Sequence, residues 1–195
     1  DPQYDLDVEG DINYTGTLYL NGTPALPAAV EWTEEQKLQP TGVQGDDRFG
    51  NKCSMSADGN MLVVGSYEDD WNITDQGSVV VFKKIDGTWV EQQKIITSIN
   101  TSRFGATLSM SDDGLRIVAG TVNSGIGGRA FVFTSTDEGA TWVERQELIP
   151  SDLESDDGFG NAVAISGDGN TILCGASQED TGQSGAGSAY FFTTA

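Results

Sequence analysis

Phe49, Phe104 and Phe159 stand 55 residues apart, and each is followed by glycine. A fixed period of that size means that one supersecondary unit is written out three times. After each Phe-Gly, apolar and small residues alternate: Phe49, Asn51, Cys53 and Met55; then Phe104, Ala106, Leu108 and Met110; then Phe159, Asn161, Val163 and Ile165. Strict alternation predicts a strand with one buried face, so Cys53 and Met55 are expected inside. The turns "SADGN", "SDDGL" and "SGDGN" follow, with Asp-Gly supplying the positive φ of a tight hairpin. Next come the continuous apolar runs "MLVVG", "RIVAG" and "TILCG", which predict a central strand buried on both faces. A third strand opens on glycine in "GSVVVF", "GRAFVF" and "GSAYFF". A fourth opens on tryptophan in "WTEEQKL" from Trp32, "WVEQQKI" from Trp89 and "WVERQEL" from Trp142, and its charged middle suits a sheet edge.

Four short antiparallel strands per unit, joined by tight turns, predict an all-β chain of three propeller-like blades. A β-trefoil-like arrangement of three four-stranded units is the alternative. Divided at the tryptophans, the repeat domain spans 31–195, with units at about 31–88, 89–141 and 142–195, preceded by a strand arm over 1–30. Phe49, Phe104 and Phe159 are expected to seat the blades, and Trp32, Trp89 and Trp142 to anchor the outer strands.

"RFG" or "GFG" before an apolar strand that ends in "VVGS", "VAGT" or "CGAS" resembles the FG-GAP repeat of integrin-type β-propellers. That resemblance implies blades, an extracellular setting and, often, adhesion. Integrin-like repeats often carry a DxDxDG calcium loop. Here the turns Ser56–Asn60, Ser111–Leu115 and Ser166–Asn170 are shorter and hold one or two carboxylates each. Calcium takes roughly 6–8 oxygens, so plain hairpin turns and no cofactor are expected. The acidic Glu68-Asp69-Asp70 loop is read as a solvated charge cluster rather than a calcium site.

The strand count does not balance. Trp32 opens a fourth-type strand with no unit before it, while the third unit ends at "SAYFFTTA" without one. Either the units close within the chain or the spare strand completes the third unit of another molecule. The arm "DLDVEGDINYTGTLYLNGTPALP" is too small to hold a core alone, so its strands are expected to dock on something. Its wording resembles the short β segments before the heads of viral tail-fibre proteins. Head-to-tail self-association into a fibre on a virion or cell surface is therefore expected, with strand donation as its means. An extracellular adhesion module that binds glycan or protein through blade loops is the alternative.

A net charge of −20 argues against nucleic acid and anionic membranes as partners. No apolar run approaches the roughly 18 residues of a membrane span. The chain opens at Asp1 with no signal-like stretch, as a processed chain or an excerpt would. Sequons at Asn13, Asn21, Asn72 and Asn100 are candidate glycan sites and fit secretion. The absence of histidine removes His-based triads and His-ligated zinc. "STDEGATW", Ser135 to Trp142, matches the Asp-box of sialidase-like propellers, in which that box is a folding element. A sialidase needs an arginine cluster and a tyrosine nucleophile with an acidic partner, which the five arginines here do not suggest, so no enzyme is expected. Cys53 and Cys174 make no metal spacing and are read as two buried thiols. A disulfide between them would require units one and three to be adjacent.

Overall fold

The computed structural model describes residues 19–20, 23–24, 31–71, 73–122, 127–180 and 185–194, and no helix occurs among them. The chain divides into two units, Asp1–Glu35 and Gln36–Ala195. In the first, β1 (Tyr19–Leu20) pairs antiparallel with β2 (Thr23–Pro24). In the second, three meander sheets follow in chain order.

The first blade is β3 (Phe49–Met55), β4 (Met61–Ser66), β5 (Ser78–Ile85) and β6 (Thr88–Ile95). The second is β7 (Thr107–Met110), β8 (Arg116–Gly120), β9 (Ala130–Thr134) and β10 (Val143–Leu148). The third has only β11 (Phe159–Ile165), β12 (Thr171–Ala176) and β13 (Ser188–Thr193). Separate antiparallel meanders are propeller blades, not the trefoil alternative. Each tryptophan strand pairs with the blade before it, so a blade begins at its Phe-Gly and not at its tryptophan.

The core lies between blades. Met61, Val63, Val79, Val81 and Ile95 of the first blade meet Phe104, Leu108, Ile117, Phe131, Phe133 and Trp142 of the second. Val118, Ala130 and Leu148 from the other face of the second meet Phe159, Ile172, Cys174 and Ala176 of the third. The middle blade is therefore apolar on both faces. In the first blade β4 is buried along its whole length because Met61 and Val63 meet the second blade while Leu62 and Val64 are covered on the other face by Leu38, Phe49 and Trp89. β12 alternates between buried and half-buried residues, because one face of the third blade has no neighbour.

The same asymmetry corrects two expectations. Cys53 is exposed and Met55 is 53% exposed, whereas the equivalent Leu108 and Met110 are buried. Their strand face points away from the second blade, and the alternation alone did not say what would cover it. Cys53 and Cys174 are free thiols. They stand on the first and third blades, with the second between them, so the disulfide geometry is absent.

The blades join through their backbones. Phe104 N–H donates to Gln76 O at 2.9 Å and Phe159 N–H to Gly127 O at 2.7 Å. Parallel bridges pair Gly77 with Phe104 and Gly128 with Phe159. A Cβ on Gly65 would lie 2.1 Å from Gly105 O, and one on Gly120 would lie 2.1 Å from Gly160 O. Glycine is required there because the next blade's Phe-Gly occupies the place of a side chain. Gly175 holds the same position in the third blade, yet its Cβ would meet nothing nearer than Asn161 Oδ1 at 3.3 Å. Gly120→Ala is therefore expected to destabilise the protein by about 3 kcal/mol, and Gly175→Ala by less than about 1 kcal/mol. Urea unfolding of both variants at a protein concentration where the wild type is monomeric checks this difference.

Candidate functional site

The stack has two ends, and each presents half of the joint that the interior makes twice. At the leading end, Phe49 is half-buried and Gly50 is exposed. A Cβ on Gly50 would meet nothing within 4 Å, while one on Gly105 would lie 2.4 Å from Ser78 O and one on Gly160 2.2 Å from Arg129 O. At the trailing end are Gly175 and Gly187, equivalent to the glycines that receive Phe-Gly in the first two blades. The hairpin turns carry the same polarity. Ala57 N–H donates to Asp112 O at 3.0 Å and Asp112 N–H to Gly167 O at 2.9 Å.

The outer strands add a second link. Gln93 Nε2 donates to Trp142 O at 3.2 Å, and Trp142 N–H donates to Gln93 Oε1 at 2.7 Å. One amide thus holds both backbone groups of the next blade's tryptophan. Gln36 does the same to Trp89, at 3.2 and 3.0 Å. The signal was present in the sequence, since glutamine stands four residues after Trp32, Trp89 and Trp142. In β6 and β10 a register shift falls between the tryptophan and the glutamine. Such a bulge turns the strand's side chains to the opposite face. Trp142 accordingly packs back toward the first blade and Leu148 forward toward the third.

Trp32 departs from its expected role. Residues 31–40 form no strand, and Trp32 is 92% exposed. The rear of this segment nevertheless sits as an outer strand does. Gln36 holds Trp89, and Leu38 packs on the first blade with Phe49, Val80 and Phe82. At the opposite end of the stack, no strand pairs with the outer edge of β13 among the described residues. Between the second and third blades a cleft of about 460 Å³ opens, lined by Arg116, Val132, Gln146, Leu148, Ile172 and Phe192 among others. Phe191, on the uncovered face of β13, is 72% exposed.

Phe104 and Phe159 are fully buried, Trp142 is 5% exposed and Trp89 is half-buried. Asn100 is exposed, whereas Asn13, Asn21 and Asn72 lie outside the described residues. In the Asp-box, Asp137 accepts from Thr141 N–H at 2.9 Å and from Thr141 Oγ1 at 2.6 Å, and Trp142 Nε1 donates to Gly139 O at 3.1 Å. These bonds hold the Asp137 carboxyl at about 2, with the Thr141 hydroxyl the largest cause.

The buried carboxylates serve the loops. Asp47 and Asp157 each accept a backbone N–H three residues upstream, at 2.5 and 2.6 Å. Asp69 accepts from Ser78 and Lys94, and Glu179 from Ser188. Asp47 and Asp157 occupy equivalent repeat positions, as do Asp69 and Glu179. In the hairpin turns, Asp58 and Asp168 each accept from a serine hydroxyl and from a backbone N–H, which lowers both carboxyls. Among the described residues no cluster of three His, Cys, Asp or Glu side chains is placed to hold a metal ion.

The sequence profile described as "FG-GAP repeat" matches residues 32–82 and 142–192, just over half of the chain. Both spans run from a tryptophan into or through a third strand. No curated protein sequence matches significantly. Among solved structures, a hydrazine synthase of Kuenenia stuttgartiensis is similar, with TM-score 0.50 and 16% identity over 82% of this chain and 36% of its own. A protein described as a putative 6-phosphogluconolactonase from Bacteroides uniformis is similar with TM-score 0.52 and 14% identity, over 81% of this chain and 44% of its own. Likeness at that identity shows the fold alone, and this chain spans less than half the length of either protein.

Gln93→Ala is expected to cost about 2 kcal/mol through its two lost hydrogen bonds, read by urea unfolding and by a red shift of tryptophan emission. Asp137 folded titrates at about 2, below the ordinary 3.8. Its contribution is therefore complete above the unfolded value and is lost as pH falls through about 2. Carboxyl-carbon NMR is expected to show a midpoint for Asp137 near 2, and Asp137→Asn to abolish that signal.

Proposed function

The chain belongs to the FG-GAP repeat family, and we propose that it works outside the cell as a non-catalytic building block that assembles head-to-tail into a filament. One observation carries this reading: the stack ends in complementary halves of its own joint. Phe49-Gly50 at the front matches the open Gly175 and Gly187 at the back, and these are the pieces that join the blades inside the chain. A docking that repeats the internal geometry brings residues 31–38 of the incoming copy beside β13, so the same motion that stacks the blades supplies the third blade with its fourth strand. Pairing of strand backbones across the junction gives it direction and register. Because the front of one copy meets the back of the next, the contact is heterologous and propagates as a ring or a fibre.

The extracellular setting is supported by the four sequons and by the family. Among the described residues no helix is long and apolar enough to cross a membrane. A non-catalytic role is supported by the buried carboxylates, which are occupied in loop hydrogen bonds at repeat-equivalent positions. The net charge of −20 opposes association at low salt, and physiological salt shortens the Debye length to about 8 Å. A second reading, adhesion through the loops, has Trp71 in its favour: it is 56% exposed, with Lys94 Nζ 5.0 Å from its ring centroid.

The intercopy joint differs from the internal ones at one point. Met110 N–H donates to Ser54 Oγ, and Ile165 N–H to Ser109 Oγ, across the internal joints at 3.1 and 3.2 Å. The third blade has Ala164 at that position. In analytical ultracentrifugation at about 0.15 M salt, the wild type is expected to form concentration-dependent oligomers, with fibres or rings by negative stain. Gly175→Ala, whose methyl fills the socket, is expected to remain a folded monomer. Ala164→Ser restores the missing acceptor and is expected to tighten association about five-fold. A wild type that stays monomeric at high micromolar concentration, with all three chains behaving alike, would sink the assembly reading.

A further inference from the structure

The cleft between the second and third blades has a counterpart one blade earlier, and there it is full. Arg116, Val132, Gln146 and Leu148 of the second blade stand at the repeat positions of Met61, Val81, Gln93 and Ile95 in the first. Across the cleft, Ile172 and Phe192 stand at the positions of Ile117 and Phe133. In the earlier joint, Met61, Val81, Ile95, Ile117 and Phe133 belong to the core cluster that contains Trp142, and Gln93 holds the Trp142 backbone. The cleft is thus the seat of a tryptophan that opens an outer strand, with its clamp ready. The Gln146 side chain is exposed and its amide makes no hydrogen bond among the described residues, unlike those of Gln36 and Gln93.

We infer that this cleft is a recognition site for an incoming Trp-x-x-x-Gln strand, and that its occupant is Trp32 of a second copy of this chain, held at its backbone by Gln146. The inference rests on the head-to-tail reading and names the residue pair that decides it. Three features of the donor segment favour this occupant. Its tryptophan is the one of the three repeat tryptophans that is solvent-exposed, at 92%. Its glutamine stands four residues on, as in β6 and β10. Its Gln36 and Leu38 already make the forward contacts that Gln93 and Ile95 make to the second blade. A bulge of the kind seen in β6 and β10 leaves the tryptophan facing backward, into the acceptor's cleft. A series of amide clamps would then run through the junction without a break: Gln93 on Trp142, Gln146 on the second copy's Trp32, and that copy's Gln36 on its Trp89.

The test uses Trp32→Ala and Gln146→Ala in the full chain. Both side chains are exposed, so neither change disturbs the folded monomer. Trp32→Ala is expected to weaken self-association by about thirty-fold and Gln146→Ala by about ten-fold. Mixed in equal amounts, the two variants complement at a single junction and are expected to give a dimer and nothing larger, by sedimentation velocity. A labelled peptide of residues 31–40 is expected to bind the Trp32→Ala chain in fluorescence polarisation, and to lose binding when Gln146 is also replaced or when the peptide's tryptophan is alanine. If the wild type assembles and Trp32→Ala assembles equally well, the tryptophan seat is overturned while head-to-tail stacking stands. If the wild type stays monomeric, the assembly reading falls and the peptide decides alone: binding that depends on Gln146 upholds the seat, and no binding overturns it.

Discussion

The close approach of one blade's Phe-Gly to the glycines of the blade before it is the constraint on which the structure depends. At Gly65 and Gly120 the neighbouring carbonyl lies where a Cβ would be, 2.1 Å from it. Two backbones that close can share hydrogen bonds directly, and they do, through Phe104 and Phe159. Once those bonds fix the spacing, the apolar faces of adjacent sheets are pressed together, and Phe104 and Phe159 are buried with their backbone N–H groups paired. The period of 55 residues is thus the length of chain needed to leave one such joint, build a sheet and return to the next.

The outer strand solves a different problem. It must cover the seam behind its own blade and the seam in front of it. A regular strand cannot do both with apolar side chains, because its alternation commits each face to one side. One bulged residue reverses that commitment part-way along. The tryptophan then fills the rear seam, the terminal Ile95 or Leu148 fills the front seam, and the charged middle is left to solvent. The glutamine clamp ties the two seams to each other by holding the next tryptophan's backbone.

Much of this was legible in the residues. The period, the hairpin turns, the central strands and the Phe-Gly seats all follow from local pattern, and the blade form follows from their number. The surplus outer strand could be counted. What pattern could not supply was context. Cys53 and Leu108 read alike on their strands, yet one is exposed and the other buried, because burial here belongs to the neighbouring blade and not to the strand. Trp32 reads like Trp142, yet Trp32 is exposed and Trp142 is buried against the first blade. The glutamines were in plain view, four residues after each tryptophan. Their role was hidden because they bond the backbone of a residue about 50 positions away, and no local rule points there.

A stack of repeats usually finishes in units whose outer faces are polar, since each unit buries only what its neighbours cover. The third blade is not finished in that way. Its uncovered face presents Phe191, 72% exposed, and a half-buried Leu173, at positions where the preceding blades carry Val132 and Val118 or Val81 and Val63. Apolar side chains at an uncovered sheet face are the composition of an interior surface. The leading end shows the same character at Met55 and Phe49. A chain with 30 acidic residues had ample means to coat both ends with charge. Their placement elsewhere leaves Phe191 and Leu173 at one end and Met55 and Phe49 at the other in repeat positions that are buried in the joints between blades, and the proposed head-to-tail assembly rests on that likeness.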